Sequence, residues 1–151
     1  SSWNTTAGMT ASRSTGGDLV VGNPEGKVTM VEFFDYNCGY CKRAFPDVLK
    51  MIEADKDLRI VMKELPILGP GSVYAARAAL ASRKQGKYWE YHVALMAHQG
   101  RMEESAALDI AAKVGLNIDQ LKKDMEAEDV LRLRLRRRGG RHIFGHTSSF
   151  A

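Results

Sequence analysis

"FFDYNCGYCKRAF" (33–45) decides how this chain is read. It holds both cysteines, Cys38 and Cys41, separated by Gly39 and Tyr40. Just before it, "VTMVEFF" (28–34) is apolar and β-branched with one acid inside, a pattern expected for a strand buried on both faces of a parallel sheet. Just after it, Phe45, Val48, Leu49 and Ile52 recur at the spacing of one helical stripe. Pro46 falls inside that stripe, so a kink is expected there. "DLRIVMKELPI" (57–67) reads as a second strand ending near Lys63. Strand, helix and strand in this length make a βαβ unit, with the two strands parallel.

Two thiols at this spacing admit a metal half-site, a structural crosslink or a redox couple. A structural zinc site needs four ligands. No second cysteine pair exists, and His92 and His98 stand six residues apart in a predicted helix, poor spacing for one face. A disulfide across two residues closes too short a loop to constrain the unfolded chain. The redox reading is the strongest. With Cys38 at the start of a helix, the unpaired N–H groups of the first turn favour its thiolate. Cys41 lies one turn further in, near enough to close a small ring and more shielded. Cys38 is therefore the expected attacking sulfur and Cys41 the resolving one.

Glu32 sits among Val31, Phe33 and Phe34. An acid there is costly to bury unless it has a task. One strand-end from the thiols, it could take the proton of Cys41; the alternative is a solvated acid at a sheet edge. Lys63 is a weaker candidate to pair with it. Gly39 and Tyr40, between the sulfurs, would tune the redox potential and offer contact surface to a substrate. Tyr88, Trp89 and Tyr91 crowd one predicted helix and read as core.

Residues 1–18, rich in Ser, Thr and Gly, read as a flexible arm. Residues 19–70 carry the βαβ core. From 71 to 131 the character turns helical, with Gly86, Gly100 and Gly115 closing successive helices and a fourth helix predicted over 117–131. The chain starts with Ser rather than Met and its first residues hold no apolar stretch; a removed leader is expected. No apolar run approaches the ~20 residues of a membrane span.

The net charge of +4 is unevenly placed. Arg132, Arg134, Arg136, Arg137, Arg138 and Arg141 lie in the last twenty residues, where there is no acid. Residues 1–131 carry the other 16 basic residues against all 18 acidic ones, a net of −2. The body is mildly acidic, and the tail has few aromatics for base stacking, so a nucleic-acid partner is not expected.

"GKVTMVEFFDYNCGYCKRAFPDVLK" (26–50) and "KELPILGPGSVYAARAALA" (63–81) resemble DsbA-type thiol–disulfide oxidoreductases, over roughly residues 19–131. The resemblance implies a thioredoxin-like α/β fold with an inserted helical domain. It implies Cys38 as nucleophile, Cys41 as resolving thiol and Glu32 as the buried acid beneath them, with no cofactor besides the redox-active Cys38–Cys41 disulfide. It implies exported, periplasmic substrates bearing cysteines, and a membrane or soluble partner that recycles the thiols. The Cys-Gly-Tyr-Cys motif also resembles that of disulfide isomerases, leaving oxidase and isomerase both open. A metal-handling module, binding copper or zinc through the two thiolates, is the alternative function.

The likeness ends at 131. The family returns to its core through a Gly-Thr-Pro segment whose cis proline faces the thiols, followed by two strands and a helix. Here the sequence reads "LRLRLRRRGGRHIFGHTSSFA" (131–151), with no proline after Pro70. Gly145-His146-Thr147 is encoded as GGN-CAY-ACN, which one base later can read Gly-Thr-Pro. The tail is thus expected to be a shifted reading frame; resequencing the coding DNA checks this.

Overall fold

The computed structural model describes residues 12–13, 19–127 and 130. The expectations for most of the arm and for the tail from 131 onward, with its missing strands and shifted frame, lie outside the described residues. The strands β1 (Ser12–Arg13), β2 (Leu19–Gly22), β3 (Val28–Phe34) and β4 (Leu58–Glu64) form one sheet in the order β1-β2-β4-β3. As the βαβ reading requires, β3 and β4 are parallel, from Val28 beside Leu58 to Phe34 beside Glu64. β2 runs antiparallel to β4. Ser12 and Arg13, expected within the flexible arm, pair instead with Val20 and Leu19.

Between β3 and β4 runs α1 (Gly39–Ala54), continuous through Pro46. Its predicted stripe is the buried one: Phe45, Leu49 and Ile52 pack with Leu19, Val21, Ile60 and Met62 of the sheet, and Val48 packs partly against them. The expectation that β3 is buried on both faces is wrong. Only Phe34 is buried; Met30 and Glu32 are half-buried, and Thr29, Val31 and Phe33 are exposed. β3 is the outermost described strand, and alternate residues leave a sheet on opposite faces. One set therefore meets the core and the other meets solvent.

The helical segment contains α2 (Pro70–Ser82), α3 (Tyr88–Ala97), α4 (Glu104–Lys113) and α5 (Ile118–Met125). A 3-10 turn (Arg83–Gln85) carries α2 to Gly86, and Gly86, Gly100 and Gly115 adopt left-handed backbone at φ of 69°, 94° and 85°. All three predicted stops therefore stand where glycine is favoured. Along α2, Ala75, Ala76, Ala78, Ala79 and Ala81 are buried. These small side chains allow close approach by neighbouring helices. Tyr88, Trp89 and Tyr91 lie in the core as expected. At the start of α2, a Cβ on Gly71 would collide with the Met102 carbonyl. Gly71→Ala is expected to destabilise the protein by about 1–3 kcal/mol, read by denaturant titration.

Candidate active site

The thiols stand at the end of β3. Asp35, Tyr36 and Asn37 lead to Cys38, and this short loop is bonded to distant parts of the chain. The Asp35 carboxylate is buried. Its Oδ1 accepts from the Asn37 N–H at 2.7 Å and the Ser72 hydroxyl at 2.6 Å. Its Oδ2 accepts from the Ile67 and Leu68 N–H groups at 2.8 and 3.0 Å. Asn37 accepts from the Met102 N–H at 2.7 Å and donates to Ser72 Oγ and the Met102 carbonyl at 2.9 and 3.0 Å. The cost of burying these polar groups is thus offset by hydrogen bonds.

Asp35 also reaches both cysteines through its main chain. Its carbonyl accepts from the Cys38 N–H at 3.0 Å, and its main chain favours the Cys41 thiolate, partly offsetting the burial of that sulfur. Cys38 is the N-cap of α1, and its Sγ accepts from the Cys41 N–H at 3.1 Å. The sulfur fills the position a Ser or Asp oxygen usually takes. The open end of the helix dipole there meets negative charge developing on it.

Cys41 is held differently. Burial foremost, then its hydrogen bond with Cys38, push the Cys41 thiol up to about 11, with the charges of Cys38 and Glu32 adding to the rise. Both cysteines are partly buried and free. Burial also raises the Glu32 carboxyl above the ordinary range. Its Oε2 is buried with no hydrogen-bond partner among the described residues. Glu32 aligns with Met62, whereas Lys63 aligns with Phe33. Glu32 and Lys63 therefore leave the sheet on alternate faces, against the pairing expected for them. Tyr40 is 76% exposed, beside Gly39 at the helix start. Among the described residues, no group of three or more His, Cys, Asp and Glu forms a metal-like cluster.

A second buried network goes unnoticed in the sequence. Glu64 Oε1 accepts from the hydroxyls of Tyr36 at 3.0 Å and Tyr88 at 3.2 Å. His92 Nδ1 lies 2.8 Å from the Tyr36 hydroxyl. The His92 ring is fully buried, near-parallel to Tyr88 and Trp89 and met edge-on by Phe34, Tyr36 and Phe45. Burial pushes His92 down to about 3. A depressed histidine contributes stability above its usual 6.5 that is lost as pH falls through about 3. Glu64, raised by burial, has the opposite slope, losing stability as pH rises. Below the ordinary carboxyl value of 4.5, where Glu64 no longer offsets His92, the urea midpoint is expected to fall as pH drops toward 3, and His92→Phe is expected to flatten that fall.

The arrangement of β3, helix-capping thiol and half-buried partner thiol belongs to a known class. The family described as thioredoxin matches residues 14–135, and the chain belongs to the thioredoxin family. Its solved relatives are DsbA-like thiol–disulfide oxidoreductases. A thioredoxin-like oxidoreductase from Silicibacter pomeroyi DSS-3 is 52% identical, with a TM-score of 0.74 over 79% of this chain and 72% of that one. The thiol-disulfide exchange protein α-DsbA2 of Wolbachia pipientis is 29% identical, with a TM-score of 0.70 over 82% and 70%. Among curated proteins, the Na(+)/H(+) antiporter NhaA 1 of Salinispora arenicola is 36% identical over 110 residues. That match takes in 72% of this chain but only 17% of the antiporter's length.

Proposed function

We propose that this chain exchanges disulfides with cysteine-bearing proteins outside the cytoplasm, with Cys38 as nucleophile and Cys41 as resolving thiol. The inequality of the two sulfurs carries this reading: Cys38 caps the helix, while the half-buried Cys41 is pushed up to about 11. In the reducing direction, the Cys38 thiolate attacks one sulfur of a substrate disulfide and the other sulfur leaves as a thiolate. Cys41 then attacks Cys38, releasing the second substrate thiol and leaving the Cys38–Cys41 disulfide. Two electrons pass to the substrate, and the reverse sequence oxidises it. Glu32 takes the proton of Cys41 as that sulfur becomes nucleophilic. Gly39 and Tyr40 meet the substrate.

An exported, periplasmic setting is supported by a structural relative described as a periplasmic thioredoxin-like protein of Salmonella enterica serovar Typhimurium. It is 26% identical, with a TM-score of 0.62. No helix among the described residues is long and apolar enough to cross a membrane. A redox titration of the two thiols in glutathione buffers tests the direction of exchange. A strongly oxidising potential identifies a disulfide donor, and a strongly reducing one a reductase.

A further inference from the structure

A groove of about 550 Å³ opens beside the thiols, within the size range of about 300–1,000 Å³ typical of ligand sites. Phe45, Pro46 and Met96 give it apolar surface, and Lys42, Arg43 and His98 give it polar and cationic surface. Gly39, the neighbour of Cys38, forms part of the wall, so a chain joined to Cys38 has its flanking residues within reach of the groove.

Its charge is one-sided: among the described residues, no Asp or Glu lines it. The first turn of α1 also holds no acid. Lys42 and Arg43 follow directly, where cations oppose the helix dipole; their presence so near the helix start is unfavourable for the helix alone. Lys42 is half-buried, and burial lowers its affinity for the proton. Its Nζ donates to the His98 carbonyl at 2.8 Å, which anchors the ammonium across the groove. An ammonium has three donors, and this bond uses one. Arg43 folds back over the start of α1, with its guanidinium 3.5 Å from where a Cβ on Gly39 would stand. A guanidinium is a fork suited to carboxylate.

We propose that this groove selects substrates carrying Glu or Asp next to the reacting cysteine, with Lys42 and Arg43 receiving the acidic side chain. This rests on the exchange reading above and names the substrate class for it.

The test uses the full chain, reduced, and synthetic peptide disulfides of equal length with Glu, Gln or Lys flanking the cysteine. Each rate is divided by the rate of the same peptide with free glutathione, which removes the effect of the flanking charge on the peptide's own sulfur. The expected result is a Glu-to-Lys ratio of about 10, falling with added salt and collapsing toward 1 in Lys42→Gln/Arg43→Gln. A ratio near 1 in the unaltered chain overturns the substrate preference while leaving the exchange reading intact. A ratio near 10 that survives the double substitution overturns the assignment to this groove. Failure to exchange even with hydroxyethyl disulfide, a small uncharged substrate, overturns the exchange reading instead.

Discussion

Cys38→Ser is expected to reduce disulfide exchange by roughly 10³-fold or more, to background, because a serine hydroxyl does not displace a thiolate from sulfur. The fold should survive, since a serine oxygen can accept the Cys41 N–H as the Cys38 sulfur does at 3.1 Å. Cys41→Ser should behave differently. Attack by Cys38 remains, but nothing resolves the product, so a mixed disulfide with the substrate should accumulate and be visible by mass. If Cys38→Ser retains exchange, or Cys41→Ser traps nothing, the roles assigned to the two sulfurs are wrong.

The second large effect is at Glu32, and it has two parts of opposite sign. Glu32→Gln removes the base offered to Cys41, so resolution at neutral pH should slow by roughly 10²-fold. The deficit should shrink as pH climbs toward 11, where Cys41 loses its proton unaided. A residue that merely shaped the site would show no such convergence. Stability should move the other way. Burial raises the folded-state value of Glu32 above the usual 4.5. Its contribution to stability is present below that usual value and is lost as pH rises through the folded one. At neutral pH Glu32→Gln should therefore raise the urea midpoint, and the gain should vanish in acid below the ordinary carboxyl range. A slower enzyme that is also a sturdier one would mark Glu32 as strained for function.

The sequence made the local features plain. The stripe Phe45, Leu49 and Ile52, the parallel pairing of 28–34 with 58–64, and the glycine stops follow from short-range periodicity and backbone chemistry. Cys38 and Cys41 were legible because their spacing is itself a chemical statement. What escaped were relations across many residues. Nothing near Asp35 announces that Ser72 and the Ile67 and Leu68 amides will close on it. Nothing in "KEL" (63–65) announces that Glu64 will sit under Tyr36 and Tyr88. An acid at a strand end was a signal for Glu64, but the same signal sits at many solvated strand ends. The misreading of 28–34 has a similar origin. A continuous apolar run looks alike at the centre and at the rim of a sheet, and only strand order tells the two apart.

The bonds from Asn37 to Ser72 and Met102 bear on how such a chain can be taken apart or rebuilt. The cysteine-bearing hinge and the helical lobe share one polar keystone, so the boundary near residue 70 is not a seam along which modules could be exchanged freely. A chimera that grafts a foreign lobe onto this core must carry along a hydroxyl at 72 and the main-chain geometry at 102, or the redox pair will lose its footing.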